Sequence, residues 1–305
     1  MVYDVLIVGG GPAGYTAALY AVRAGLTAAV IEKMAAGGQM CETAQIENYP
    51  AFEEIDGYTL GDKMKTGAEK FGAVTVFDEV TSLSLTEEIK TVTTAGGEVL
   101  CGKTVILAMG AVHRHLGVAR ETELVGAGVA YCATCDGMFF RGKRVAVVGG
   151  GNSAAADALF LSGICEEVTL IHRRDALRAT KSYHAPLMAK ENVKILYNHK
   201  VTALLGAPRL SGVSLQNTVT GEAKELALDG LFISVGRAPN TALLAGQVTL
   251  DDAGYILAGE DTKTNLRGVL AAGDIRTKPL RQIVTAAADG ATAAHMAELF
   301  LAGAE

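Results

Sequence analysis

The chain has 305 residues, half of them hydrophobic and 20% charged, an ordinary soluble globular composition with apolar surface for about two cores. Its net charge of −6 argues against a nucleic-acid reader, which carries a basic balance, and no apolar run approaches the roughly 20 residues of a membrane span. The N-terminus, MVYDVLIVGGG, has no basic leader and enters a strand at once, so no secretory signal and a cytoplasmic location are expected.

In chain order, the apolar run Tyr3 to Val8 predicts a buried parallel strand. Gly9 to Gly14 follows as a tight turn, and Pro12 to Ala24 as a helix stopped by Gly25. Thr27 to Ile31 is a second strand, ending at Glu32. Lys103 to Leu107 reads as a further strand, and Val112 to Gly128 as a weakly patterned connection. The opening pattern then returns: strand Arg144 to Val148, turn Gly149 to Gly151, helix Ser153 to Leu161, stop at Gly163, strand Glu167 to Ile171. Val193 to Tyr197, Leu231 to Val235 and Val269 to Ala272 are strand-like, and an alanine-rich helix runs from about Gln282 to Leu301. The fold class is therefore α/β with two Rossmann-like units, and a unit repeated at this scale implies two nucleotide sites.

Gly9, Gly11 and Gly14 form G-x-G-x-x-G: the first permits the tight turn, the second lets the backbone approach a pyrophosphate, and the third lets helix and strand pack closely. Pro12 and Ala13 open a helix whose free N–H groups face the anion. Glu32, 21 residues after Gly11, stands where an acid accepts from a ribose hydroxyl. The second turn, Gly149, Gly151 and Ala154, reads G-x-G-x-x-A, and the same count from Gly151 lands on His172, not an acid. Arg173, Arg174 and Arg178 follow. Guanidinium forks there suit a 2′-phosphate and point to NADPH over NADH; the bland alternative is a solvated basic loop. Asn152 lies in the same turn, and Ser153 either donates to the pyrophosphate or caps the helix.

Of five cysteines, only Cys132 and Cys135 are closely spaced, in Cys132-Ala133-Thr134-Cys135-Asp136-Gly137. Cysteines at i and i+3 can close a small ring, and such spacing often lowers the thiol pKa. In a chain with two dinucleotide sites, this pair would take electrons from a flavin and pass them on by thiol–disulfide exchange, with Asp136 as general acid and base for a leaving thiolate. A zinc site would need two more ligands at suitable spacing, which no second C-x-x-C or H-x-x-x-H supplies, so no metal is expected. Cys41, Cys101 and Cys165 read as buried small hydrophobes.

Together these residues resemble the low-molecular-weight thioredoxin reductases. The matching segments are GGGPAG at 9–14, GGQ at 37–39, IENYP at 46–50, CATCDG at 132–137, GGGNSA at 149–154, HRRDALR at 172–178, VGRAPN at 235–240, AAGD at 271–274 and RQIVTAAADGA at 281–291, in family order. The resemblance implies a split FAD domain, about 1–113 and 243–305, with an inserted NADPH domain, about 114–242, that carries the cysteines. It implies further FAD contacts at Gly38, Gln39, Asn48, Asp274, Arg281, Gln282 and Ile283, and Cys135 as the thiol nearer the flavin. It also implies a rotating NADPH domain with hinges near 112–117 and 240–245, a homodimer, and thioredoxin as the partner. Met109 stands where the family usually has threonine. Three alternatives are a reductase of a peroxiredoxin-type partner, whose relatives look to carry an extra N-terminal part; a ferredoxin-fed reductase, which would lack the basic cluster; and a non-catalytic flavin redox sensor.

Overall fold

The structure, a computed structural model, describes residues 1–43, 45–244 and 246–304, apart from the side chain of residue 42. The chain divides into two compact units, Met1–Val112 with Ala238–Glu305, and His113–Arg237.

In the split unit the strand Val2–Val8 lies at the centre of a sheet, with Val5 to Val8 almost fully buried. Ala28–Glu32 pairs parallel on one side and Val99–Leu107 parallel on the other, and Val74–Phe77 lies beyond Ala28–Glu32. Val8 is level with both Ile31 and Leu107, so Gly9, Glu32 and Ala108 emerge at one edge. The chain departs to opposite sides of the first strand there, which makes this edge a topological switch point, where ligands bind in sheets of this kind. On its other edge Val99–Leu107 serves two further partners: its first half pairs antiparallel with Lys90–Thr94, its second half parallel with Val269–Ala271.

Two alanine-rich helices cover this sheet. Pro12–Arg23 and Ile283–Leu301 share a core through Ala13, Ala17, Ala21, Ala293, Ala294 and Ala297. Such small side chains let the backbones meet. A Cβ added at Gly290 would lie 2.2 Å from the Ala13 carbonyl oxygen, well inside contact distance.

The continuous unit carries a five-stranded parallel sheet in the order Val193–Leu196, Glu167–Ile171, Arg144–Val148, Gly230–Ile233, Val129–Ala130. The helix Asn152–Ser162 buries Ala154, Ala155, Ala158 and Leu161 with Val145, Val147, Val168 and Leu170. A second core joins Ala146, Val148 and Ile171 to Val201, Leu204, Val213 and Leu215 of an antiparallel sheet formed by His199–Leu205, Gly212–Asn217 and Ala223–Ala227.

The boundaries between the units differ from those expected. The continuous unit starts at residue 113 rather than 114, and ends at 237 rather than 242. The reason for the second shift is local bonding. Asn240 donates its N–H to the Gly110 carbonyl (3.1 Å) and its Nδ2 to that of Met109 (2.8 Å), while Leu244 is buried beside Leu6 and Val8. Of the expected hinge stretch 240–245, Ala245 lies outside the described residues. The helix expected from Ser153 begins at Asn152, and Gln282, expected inside the final helix, is its cap.

Candidate active site: two glycine turns and a disulfide

In the split unit, each part of the first turn has a visible cause. Gly9 adopts φ +105°, and a Cβ there would strike the Ala108 carbonyl at 2.4 Å. At Gly14 a Cβ would lie 1.9 Å from the Gly9 oxygen, which is the close helix–strand packing expected of a third glycine. Gly11 is different: a Cβ would meet nothing nearer than the Gly37 oxygen at 3.9 Å, so its backbone faces open space. Gly11 caps the Pro12–Arg23 helix with no side-chain hydrogen bond, leaving the helix N-terminus, where Ala13 is buried, to an external acceptor. Glu32 accepts from the Gly10 N–H (2.7 Å) and the Met34 N–H (3.2 Å), so its carboxylate is tied to the same turn.

The other expected flavin-side residues gather from distant stretches. Gly38 approaches Gly11, with Gln39 exposed beside it at the start of the short 3-10 turn Gly38–Glu42. Asn48 donates to the Gln282 side chain at 3.1 Å across 234 residues of sequence. Gln282 and Thr285 form a reciprocal capping box at the start of the final helix, in which Thr285 Oγ1 accepts the Gln282 N–H (3.1 Å). Ile283 packs on the cluster of Met40, Ile46, Ile55 and Leu60. Asp274 lies in the turn Gly273–Ile275. The Arg281 guanidinium stacks over Tyr255 at 4.1 Å, and its buried Nε has no hydrogen-bond partner among the described residues. An open glycine, a helix end without a side-chain cap and an orphaned buried guanidine N–H together fit a dinucleotide bearing a flavin.

One anchor of this site was not anticipated from the sequence. Asp289, on the final helix, accepts from the Gly273 N–H (2.9 Å), from Arg276 through Nε (2.8 Å) and Nη2 (2.6 Å), and from Lys278 (2.7 Å). All three side chains are buried. Burial works against the Asp289 carboxylate, but Arg276 and Lys278 outweigh it and hold its pKa below the ordinary value. The carboxylate thereby fastens the Gly273–Ile275 turn to the helix. The run AAADG around Asp289 is part of a segment that resembles the family, but its buried partners lie 11 to 16 residues upstream, with no spacing rule to reveal them.

In the continuous unit Gly151 caps the Asn152–Ser162 helix, again with no side-chain hydrogen bond, and a Cβ at Gly151 would meet nothing within 4 Å. Ser153 is exposed in the first turn and is not the cap. Asn152 accepts the Thr180 N–H (2.8 Å), and the Gly150 carbonyl accepts N–H groups from Arg178 (2.6 Å) and Ala179 (2.9 Å), which draws the 178–180 segment to the turn. Arg173, Arg174 and Arg178 are all exposed, and none of their guanidinium groups forms an ion pair among the described residues. That arrangement fits a phosphate-bearing nucleotide. His172 stands apart from its neighbours: it is buried directly beneath Gly150, where a Cβ would lie 2.1 Å from its ring. Burial depresses its pKa, and Arg178 and Arg174 add to the effect, so it supports the turn as a neutral ring.

Cys132 and Cys135 are joined by a disulfide with Cα atoms 5.2 Å apart. Cys132 is the extended N-cap of the one-turn helix Ala133–Asp136, and both cysteines are half-buried. The Asp136 N–H donates to the Cys132 carbonyl at 3.0 Å, closing the loop. Burial pushes the Asp136 carboxyl up to about 6, so it can hold or release a proton near neutrality. Of the other cysteines only Cys165 is in a core, where burial raises its thiol to about 11; Cys41 and Cys101, expected to be buried, are half-exposed.

Comparison with known proteins places these features in context. Residues 3–290 match the family model described as pyridine nucleotide-disulphide oxidoreductase. A thioredoxin reductase of Streptomyces clavuligerus is 47% identical over 304 residues, covering 99% of this chain and 94% of that one. A bifunctional thioredoxin reductase/thioredoxin of Mycobacterium leprae is 45% identical over 303 residues, covering 99% of this chain and 66% of that one. Among solved structures, thioredoxin reductase from Streptococcus pyogenes superposes with a TM-score of 0.91 at 40% identity, covering 99% of both chains.

Proposed function

The chain belongs to the pyridine nucleotide-disulphide oxidoreductase family and acts as a thioredoxin-disulfide reductase, and from that premise we propose how its own residues divide the work. The observation that carries the reading is a half-buried disulfide in the same compact unit as an open glycine turn flanked by free guanidinium groups. The split unit binds FAD, held at Gly9, Gly11 and Gly14, with Glu32 beside the turn and Asp274, Arg281, Gln282 and Ile283 contributed from the Gly273–Ile275 turn and the start of the final helix. The continuous unit binds NADPH at Gly149 and Gly151, with Arg173, Arg174 and Arg178 on the 2′-phosphate. FAD held by these residues would supply two-electron transfer from reduced nicotinamide to a disulfide, which here is Cys132–Cys135.

The protein's residues then do the following. The disulfide takes up the electron pair and two protons and opens to two thiols. Asp136, half-buried and with its carboxyl raised to about 6, supplies a proton to the departing sulfur and takes it back when the thiols attack the partner. The partner is thioredoxin, a reading supported by the Mycobacterium leprae relative, whose name joins both proteins in one chain. The buried Asp289 cluster keeps the Gly273–Ile275 turn in register with the final helix, so the flavin-side contacts are preorganised. Association into a homodimer and a cytoplasmic location belong to the same reading; no helix among the described residues is long and apolar enough to cross a membrane.

A steady-state assay with NADPH, thioredoxin and a thiol-reactive dye tests this function, and absence of thioredoxin-dependent turnover would overturn it. Cys132→Ser and Cys135→Ser are each expected to abolish turnover while the purified protein stays yellow. Loss of the flavin in either variant would contradict the division of roles.

A further inference from the structure

The most heavily bonded acid of the continuous unit is one the reaction does not use. Glu121 is 4% exposed and has neither a lysine nor an arginine partner among the described residues. Its Oε2 accepts the Gly117 N–H at 2.9 Å. Its Oε1 accepts the Leu116 N–H at 3.1 Å and the Tyr131 hydroxyl at 2.7 Å, with His115 Nδ1 at 3.2 Å. Burial works against the charge, but these hydrogen bonds outweigh it, so the carboxylate is held ionised. Tyr131 is gripped from two further directions. Its hydroxyl lies 2.8 Å from His115 Nδ1, and its ring stacks on His113 at 4.9 Å.

Tyr131 immediately precedes Cys132. On one side of it ends the short strand Val129–Ala130, paired with Leu231 and Phe232; on the other begins the one-turn helix whose N-cap is Cys132. The two cysteines are therefore held differently. Cys135 is set within the helix. Cys132 is at the extended junction, and the side chain next to it in sequence is clamped to a buried carboxylate.

We propose that Glu121 and Tyr131 are positioning residues for the Cys132–Cys135 couple, holding the opened dithiol with Cys132 close to Cys135 and so favouring the disulfide. The proposal rests on the reading that this pair cycles between disulfide and dithiol. The physical reason is preorganisation. Closing the ring costs less conformational entropy when the chain beside Cys132 is already immobile. Releasing Tyr131 stabilises the open dithiol, in which the junction is free to move.

The test is the equilibrium of the flavin-loaded enzyme with buffered glutathione and, at the reducing end, dithiothreitol. In each case the protein disulfide takes two electrons and two protons as two small-molecule thiols become a disulfide. Alkylation and peptide mass analysis then read Cys132 and Cys135 separately from the other three cysteines, without NADPH or thioredoxin. Tyr131→Phe and Glu121→Gln are each expected to shift the constant toward dithiol by three- to tenfold, which is about 14–30 mV less negative for a two-electron couple. The double variant should shift no further than the larger single, because both break one linkage. Leu187→Ala, in the other core of the same unit, against which Tyr131 does not pack, controls for general destabilisation and should leave the constant unchanged. Should Glu121→Gln fail to fold, Tyr131→Phe, which deletes one oxygen, decides the matter. Constants equal to the parent's, or an equal shift in Leu187→Ala, overturn the clasp. A parent pair that no buffer opens overturns the clasp and the cycling reading together. Shifted constants in an enzyme that does not turn over thioredoxin uphold the clasp and count against the function.

Discussion

At the scale of single residues, the chemistry turns on a carboxyl whose environment has moved it. Asp136 is raised to about 6 by burial, with no cation among the described residues offsetting the shift. An acid raised in this way titrates where the enzyme works, so the exchange step should carry an inflection near pH 6. In Asp136→Asn that inflection should vanish and the rate should fall by about 10²–10⁴-fold, the usual worth of a positioned proton donor; rapid-mixing measurement of thiol exchange across pH 5–8 reads both. The same carboxyl costs stability when ionised. The folded protein binds its proton more tightly than the unfolded chain, so this contribution declines as pH rises from the ordinary 3.8 through about 6. Arg173 and Arg174 set cofactor choice by charge, not shape. Arg173→Ala and Arg174→Ala should each cost roughly 1.5–3 kcal/mol of NADPH affinity, seen as a KM raised about tenfold or more with little change for NADH. Equal effects on both nucleotides would assign the cluster another task.

At the scale of elements, the final helix contributes a cap at one end and a carboxylate further along. Its first turn is closed by the Gln282–Thr285 capping box, so the helix end is bonded by its own side chains. Asp289, two turns on, neutralises two buried cations and holds the Gly273 N–H. Asp289→Asn would leave Arg276 and Lys278 buried against a neutral amide, and loss of one partner from such a cluster costs about 3–5 kcal/mol. The melting temperature should drop accordingly at pH 7. Because the Asp289 pKa is depressed on folding, its contribution is complete above the ordinary 3.8 and is lost as pH falls through the lower folded value. The gap between parent and variant should therefore close in strong acid. A gap that persists unchanged there would show that Asp289 acts through packing and not charge.

At the scale of the whole molecule, the two units differ in how the chain builds them. Residues 113–237 form one unbroken stretch, and their buried clusters draw on that stretch alone. The other unit needs both ends of the chain, since Val269–Ala271 completes its sheet and the final helix covers it. A fragment of residues 113–237 is therefore expected to fold by itself, melting cooperatively with native-like circular dichroism and retaining the Cys132–Cys135 disulfide. Residues 1–112 alone should not fold, lacking a strand and the helix that share their core. A non-cooperative melt of the 113–237 fragment would show that its clusters do not suffice.

Local features were legible because local sterics decide them. The two glycine turns, the strands before them, the helices after them and the paired cysteines follow from residue identity at short spacing, where glycine geometry and apolar periodicity leave few choices. The antiparallel strands over residues 199–227 and the Gly57–Glu69 helix were not anticipated, because half-exposed segments carry weak periodicity. What no spacing could reveal is which distant groups meet. Asn48 reaches Gln282, Asn240 bonds back to Gly110 and ends the inserted unit early, and His172 turns inward beneath Gly150 while its arginine neighbours stay exposed. Glu121 gave no signal at all in the sequence, for a buried carboxylate is satisfied by whatever N–H and O–H groups packing brings to it. Hydrogen bonds act over about 3 Å of space regardless of chain separation, so only the folded chain decides their partners.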